Sequence, residues 1–183
     1  KRVDALWRRV DPRLLDPLAF DSHSHIGVAG LIDAYAAGNV VLSNAPGSAV
    51  LEARAFSAFL PQLAVRLLGD ELILPNIATW WCGQPRERER VIEDLDSLVI
   101  APAFGAVPLG LPEGQQIAGA DLSPDQRAAL LADLDRRPQD YVAQEIVRLS
   151  TMPVVIDDAL AARPFTLRVF AARDADGRWT VMP

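Results

Sequence analysis

One short apolar segment near the middle of the chain, residues 98–104 (Leu-Val-Ile-Ala-Pro-Ala-Phe), constrains the fold most. It is β-branched in its centre and contains a proline near its end, and it follows a charged segment with helical spacing. This order predicts a helix that leads into a buried strand. Two further β-rich segments, residues 141–147 and 165–172, carry charged or amide side chains within a strand-like pattern. The place where these three segments face one another is therefore the first candidate for a functional site.

The first half of the chain alternates predicted strands and helices. A polar turn at residues 44–48 (Asn-Ala-Pro-Gly-Ser) lies between a predicted strand and a predicted helix. This order suits an anion or small-ligand site at the edge of an α/β sheet, but no glycine-rich fingerprint accompanies it, so an ordinary strand-to-helix turn is the better interpretation of the spacing alone. The predicted strands are residues 6–10 and 40–43 and one strand within residues 72–81, and the predicted helices are residues 31–37, 49–59 and 61–68.

The second half has a different pattern, with strands that follow one another closely. An exposed helix over residues 85–96 precedes the central apolar segment, and Ser123 begins a further helix with the capping pattern Ser-Pro-Asp-Gln. Residues 153–156, 165–172 and 178–182 are predicted antiparallel strands, and a turn at residues 174–177 joins the last two. The fold class is therefore α/β, with an α+β pattern in the C-terminal half. A boundary near Gly83 predicts domains over residues 1–84 and 85–183.

Composition excludes several classes of protein. The 183 residues contain 18 Lys and Arg against 24 Asp and Glu, for a net charge of −6, whereas a nucleic-acid binder needs a basic face. No apolar run approaches the roughly 18–20 residues of a membrane span. The single cysteine, Cys82, cannot form an intrachain disulfide, and no base beside it in sequence marks it as a nucleophile. We expect a cytoplasmic protein with no nucleic-acid or membrane partner.

The two histidines lie close together, at His23 and His25, after Asp21. Alternating histidines in an extended segment place both imidazoles on one side and can bind a metal ion. The alternative is an exposed polar loop. The loop is the better interpretation, because the chain has no further histidine and no partner cysteine to complete a ligand set. No metal site is therefore predicted from these residues.

Motifs distributed along nearly the whole chain, at residues 7–11, 16–18, 27–31, 38–40, 44–48, 74–84, 141–145, 149–151 and 167–170, carry a family resemblance. They resemble the circularly permuted ATP-grasp proteins, and more narrowly the type 2 branch that is similar to glutathionylspermidine synthase. Because the chain opens on Lys1 and ends within a strand-like run, we expect a fragment of such a protein; a degenerate member of the family is the alternative.

This resemblance implies a fold, a reaction and cofactors. Residues 1–84 would form a pre-ATP-grasp-like α/β domain, and residues 85–183 part of an ATP-grasp subdomain with antiparallel strands. The implied reaction is the ATP-dependent ligation of a carboxylate to an amine through an acyl phosphate, with ATP and Mg²⁺ as cofactors and an unknown small molecule or peptide as substrate. Most Mg²⁺ ligands of the family would lie beyond this sequence, so we do not expect this piece alone to be active.

The resemblance also implies nucleotide-binding residues. The strand over residues 141–147 would be the adenine hinge, and Arg168 would reach phosphate through paired charge-assisted hydrogen bonds; the alternative for Arg168 is a strand residue with its guanidinium in solvent. The hinge residues nearest the base and ribose would be Gln144, Glu145, Ile146 and Val147.

Departures from the family pattern open other hypotheses. Ala101 stands where the family has a lysine that contacts the phosphates, and the loss of one charged hydrogen bond costs about 1.5–3 kcal/mol, or roughly ten- to 150-fold in affinity. The glycine-rich loop that follows is replaced by residues 103–119, in which Pro108 and Pro112 lack the N–H donor. The second hypothesis is therefore a degenerate, non-catalytic ATP-grasp module that acts as a scaffold or regulatory domain. A third is an unrelated α/β module that binds a small molecule at residues 44–48.

Overall fold

A computed structural model describes residues 3–105, 108, 110–111 and 116–182. The chain divides into two compact units, Lys1–Glu145 and Ile146–Pro183. The helices and strands of the first unit are β1 (Ala5–Trp7), α1 (Leu31–Ala36), β2 (Val41–Ser43), α2 (Ala49–Glu52), α3 (Arg54–Ser57), α4 (Leu60–Leu68), β3 (Thr79–Trp81), α5 (Pro85–Glu93), β4 (Leu98–Pro102), β5 (Ile117–Ala118), α6 (Pro124–Arg136) and β6 (Tyr141–Glu145). The second unit contains β7 (Thr151–Ile156), β8 (Ala159–Pro164), β9 (Phe170–Arg173) and β10 (Trp179–Met182).

The central apolar segment forms strand β4 of an antiparallel sheet whose strand order is β3-β6-β4-β5. Helix α5 and a 3-10 turn at Leu95–Ser97 lead directly into β4, which confirms the predicted helix-to-strand order. Alternate side chains of the strand face opposite sides of the sheet. Leu98 and Ile100 join the main core with residues of α5, α6 and β6, whereas Ala101 joins a second, smaller cluster.

Helix α6 covers the main core and begins as the sequence predicts. The Ser123 hydroxyl accepts a hydrogen bond from the Gln126 N–H (3.2 Å), and the Gln126 side-chain oxygen accepts one from the Ser123 N–H (2.9 Å). This capping box satisfies two of the N–H groups that a helix start leaves free. The helix buries Leu130, Asp133 and Leu134.

A smaller core lies near the N-terminus, where β1 pairs with β2 in parallel. It contains the buried residues Leu15, Leu31, Val40 and Leu42. The buried carboxylate of Asp16 accepts hydrogen bonds from the N–H groups of Leu18, Gly30 and Ile32, at 2.9–3.1 Å. Asp16 therefore fixes the start of α1 to the preceding turn, a role that the Asp-Pro turn signal alone does not indicate.

The second unit consists of two antiparallel hairpins, β7–β8 and β9–β10. The predicted turn at residues 174–177 is confirmed: the Asp174 N–H donates to the Arg178 carbonyl oxygen (2.9 Å), and Gly177 has φ +82°. The predicted strand over residues 165–172 is wrong in its first part, because β9 begins at Phe170. Strand β8 was not predicted. Asp157 and Asp158 both take positive φ values, which makes a two-residue hairpin turn without the usual glycine.

Two predictions in the first half need correction. The predicted helix over residues 49–59 is interrupted at Ala53, which is extended (φ −66°, ψ 133°). The Ala55 N–H then donates to the Ala103 carbonyl oxygen (3.0 Å), so a contact with the end of β4 replaces one helical turn. The predicted strand over residues 6–10 is wrong in its second part, because β1 covers Ala5–Trp7. The strand predicted within residues 72–81 is confirmed as β3.

Strand β3 pairs with β6, so residues on both sides of Gly83 share one sheet. The compact units therefore divide at a different point from the domains 1–84 and 85–183, and that division into subdomains stays a prediction. Of the predicted loop at residues 103–119, Pro112 and Gly114 lie outside the described residues. None of the described helices is both long and apolar enough to cross a membrane.

Candidate functional site

The residues predicted to approach a nucleotide are found in both units. Ala101, Gln144 and Glu145 belong to the first unit, and Ile146, Val147 and Arg168 belong to the second. Ile146 and Val147 follow β6 directly and are about half exposed, at 52% and 47%. Arg168 is exposed and lies in the irregular segment before β9, so its assignment to a strand is wrong. Its assignment to phosphate stays a prediction.

Strand β6 changes character along its length, from buried residues at Tyr141–Ala143 to polar residues at its end. The Gln144 amide donates to the Thr79 hydroxyl (3.0 Å), and the Glu145 carboxylate accepts from the Ala78 N–H (2.8 Å). The Glu145 N–H in turn donates to the Ala78 carbonyl oxygen (3.0 Å). Both side chains are therefore held against the segment that enters β3.

Ala101 lies on the same face of the sheet as Gln144, because Ala101 pairs with Val142 and Val99 pairs with Gln144. Its side chain is fully buried and packs in a cluster with Ala55, Ala103 and Val142. The cluster is built from small side chains, so it leaves no room for a longer one without displacement. Ala101 therefore has only a buried methyl group, which cannot donate a hydrogen bond.

A charged cleft of about 580 Å³ lies beside the end of β4. Asp11 and Arg13 form an ion pair at one side, with 3.1 Å between Arg13 Nη2 and Asp11 Oδ2. The Arg13 guanidinium holds the pKa of Asp11 below its usual value. Gly105 is close to this pair, since a Cβ atom on it would lie 3.8 Å from Arg13 Cζ. The cleft is lined by Asp11, Pro12, Arg13, Ala49, Val50, Glu52, Ala53, Arg54, Pro102, Phe104 and Gly105.

An apolar pocket of about 120 Å³ adjoins the charged cleft. Phe59 and Trp81 meet edge to face in its wall, with 5.9 Å between ring centroids. The indole N–H of Trp81 donates to the Gln139 carbonyl oxygen (2.9 Å), which fixes the ring. The lining residues are Val50, Ala53, Ala55, Phe56, Phe59, Trp81 and Phe104, of which Val50, Ala53 and Phe104 also line the charged cleft.

A buried hydrogen-bond network supports the chain after β4. The Tyr141 hydroxyl donates to the Asp133 carboxylate and accepts from the Gly110 N–H (3.1 Å), and Arg136 donates to the same carboxylate (2.9 Å). The bond from Tyr141 lowers the pKa of Asp133, and burial raises the pKa of Tyr141. Gly110 has no space for a side chain, because a Cβ atom there would lie 2.5 Å from the Tyr141 hydroxyl oxygen.

The two histidines lie in a loop, as the preferred interpretation of the sequence expected. His23 is 3.4 Å from Asp21, measured between Nδ1 and Oδ1, and its side chain is exposed. Across the described ranges, no three His, Cys, Asp or Glu side chains come close enough together to hold a metal ion.

Cys82 is buried in the main core, and burial raises the pKa of its thiol to about 12. Because the thiolate is the reactive form, we expect the native protein to react with a thiol reagent such as Ellman's reagent far more slowly than the unfolded protein does. The absorbance change in buffer and in concentrated urea measures both rates. Equal rates would contradict the buried placement of the side chain.

The mixed α/β architecture and its antiparallel sheets are consistent with an ATP-grasp-type fold. The chain belongs to the circularly permuted ATP-grasp type 2 family, whose model matches residues 1–183. The family resemblance drawn from the motifs is therefore confirmed. The narrower likeness to glutathionylspermidine synthase and the status of a fragment or degenerate member stay predictions.

Similar proteins occur in Mycobacterium and in Synechocystis. An uncharacterized protein of Mycobacterium tuberculosis is 35% identical over 181 residues, which cover 99% of this chain and 32% of that protein. An uncharacterized protein of Synechocystis is 32% identical over 176 residues, which cover 96% of this chain and 36% of that protein. The chain thus spans about a third of the length of these relatives.

Proposed function

We propose that this chain is part of a cytoplasmic ATP-dependent ligase that joins a carboxylate to an amine. In such a reaction a carboxylate oxygen attacks the γ-phosphorus of ATP, ADP leaves, and an acyl phosphate forms. The amine then attacks the acyl carbon, phosphate leaves, and the amine loses a proton. Family membership supports this proposal, and the observation that carries it is the polar end of strand β6, where Gln144 and Glu145 follow three buried residues.

The residues at that end suit the base and ribose of a nucleotide. An amide such as Gln144 both donates and accepts, and a carboxylate such as Glu145 accepts from ribose hydroxyls. The guanidinium of exposed Arg168 is the proposed partner of phosphate, and Mg²⁺ would neutralise phosphate charge when bound. The Glu145 carboxylate would have to share its acceptor capacity with the Ala78 N–H, which uses one of its four lone-pair sites.

Buried Ala101 favours a second candidate, a non-catalytic ATP-grasp module that serves as a scaffold or regulatory domain. With a methyl group at this position, the phosphates lack one cationic partner. The third hypothesis, a small molecule bound at residues 44–48, has less support. The Arg8 guanidinium already donates to the Asn44 carbonyl oxygen (2.5 Å) and to the Ser48 hydroxyl (2.9 Å), so it occupies polar groups of that turn.

Calorimetric titration of ATP and Mg²⁺ into the chain tests the first candidate against the second. We expect ATP to bind and Arg168→Gln to weaken binding about tenfold or more, the effect of one lost charged hydrogen bond. Arg163→Gln, at an exposed arginine on β8 of the same unit, is the matched control and should bind as the parent does. Unchanged affinity in Arg168→Gln would refute the phosphate assignment. No binding by the parent chain would favour the scaffold candidate.

A further inference from the structure

The charges in the cleft beside β4 are not all paired with one another. Asp11 and Arg13 neutralise each other through two hydrogen bonds between the side chains. Glu52 and Arg54 line the same cleft, and neither side chain has a hydrogen bond or ion pair within the part of the chain that the structure describes. The lining of the cleft therefore includes one carboxylate residue and one guanidinium residue whose charges no side chain of the described residues pairs. A ligand of matching charge carries one positive and one negative group.

The adjoining pocket adds a requirement for shape. Its lining is apolar, and its volume of about 120 Å³ is close to that of an engineered cavity of about 150 Å³ that binds benzene. One phenyl ring or one branched aliphatic group would fill it. Val50, Ala53 and Phe104 line both spaces, so a single small molecule can reach the pocket and the charged cleft together.

We propose that this composite site binds an apolar α-amino acid, with its carboxylate at Arg54, its ammonium at Glu52, and its side chain in the pocket walled by Phe59 and Trp81. The inference rests on the proposed function, for which it names the substrate class: an amino acid carries both reacting groups of a carboxylate–amine ligase. Inorganic phosphate or the phosphates of ATP could also bind the guanidinium, but neither uses the apolar pocket or the free carboxylate.

Titration of the 183-residue chain with L-phenylalanine and L-leucine, followed by calorimetry or ligand-observed NMR, tests the proposal. Three molecules that each lack one group are the comparison: 3-phenylpropanoate lacks the ammonium, phenethylamine lacks the carboxylate, and glycine lacks the side chain. We expect each to bind at least about tenfold more weakly than L-phenylalanine, since each loses a charged hydrogen bond or the burial of the ring. If all three molecules bound as tightly as L-phenylalanine, the proposal would be overturned.

Variants locate the site. Arg54→Gln and Glu52→Gln should each weaken L-phenylalanine binding at least about tenfold. Ala53→Leu should weaken it by filling the pocket. The matched controls are Arg66→Gln on α4 and Glu93→Gln on α5, both at exposed positions outside the cleft, which should bind as the parent does. Thermal unfolding checks that each variant folds.

The outcomes separate this inference from the proposed function. Binding of ATP without any binding of L-phenylalanine or L-leucine up to about 10 mM would overturn the inference and leave the proposed function standing. Binding of the amino acid without ATP would support the inference and count against the ligase. A third outcome is that inorganic phosphate displaces L-phenylalanine, with a phosphate affinity that Arg54→Gln alone weakens. In that case the cleft would be a phosphate site and the inference would be overturned.

Discussion

Lysine at position 101 is expected to destabilise the first unit by at least about 3 kcal/mol and not to restore a phosphate contact. Ala101 is fully buried among Ala55, Ala103 and Val142. The lysine side chain adds Cγ, Cδ, Cε and an ammonium to the existing Cβ, and overpacking of the cluster costs about 1–3 kcal/mol. A buried ammonium adds several kcal/mol more unless it finds a partner. Urea unfolding of Ala101→Lys, followed by circular dichroism, measures the loss.

The matched control is Ala129→Lys, at an exposed position on helix α6, which should unfold close to the parent. Desolvation lowers the pKa of a buried lysine, so the destabilisation should be largest below that lowered pKa and shrink as pH rises from there toward the unperturbed value of about 10.4. If Ala101→Lys were as stable as the parent and bound ATP more tightly, the side chain would reach solvent, and the structure would be wrong about this cluster.

Removal of the Asp133 carboxylate is expected to lower the free energy of unfolding by a similar amount, about 3 kcal/mol. Asp133→Ala leaves the buried Tyr141 hydroxyl without its acceptor and Arg136 without its partner. An orphaned buried donor costs about 1–3 kcal/mol, and a lost hydrogen bond to a charged group about 1.5–3 kcal/mol. Urea unfolding at pH 7 measures the difference, and Asp135→Ala, at the exposed acid two residues along α6, is the control.

The same carboxylate predicts a pH dependence. The pKa of Asp133 is lowered in the folded protein, chiefly by the hydrogen bond from Tyr141. Its stabilising contribution is therefore fully present above the unfolded value of about 3.9 and is lost as pH falls through the folded value. The difference in stability between parent and Asp133→Ala should shrink below about pH 4. A constant difference down to pH 2 would show that the carboxylate does not act through its charge.

Local patterns predicted the elements whose signals are strong. The apolar segment at β4 and the capping residues Ser123 and Gln126 each define one structure by propensity and hydrogen bonding alone. Local sequence patterns gave the wrong secondary structure where a tertiary contact or an unusual turn determines it. The Ala55 N–H binds the Ala103 carbonyl oxygen and breaks the predicted helix, and two successive aspartates make the turn before β8.

The candidate site was harder to predict than the fold. Motifs indicated the end of β6, and the structure shows that Gln144 and Glu145 lie there with hydrogen-bond partners near β3. The charged cleft escaped prediction because its free groups come from the start of α3 and the end of α2, and its walls come from the end of β4. No spacing rule links helices α2 and α3 with the end of β4, which is far away in sequence. The charged residues of the cleft also look like ordinary solvated surface residues.

The packing around Ala101 also bears on how such a site changes during evolution. Ala55 and Ala103 pack against the methyl group of Ala101, so a single substitution to a long cationic side chain meets a steric barrier. A cation at this position would therefore require coordinated substitutions at several positions in helix α3 and after strand β4.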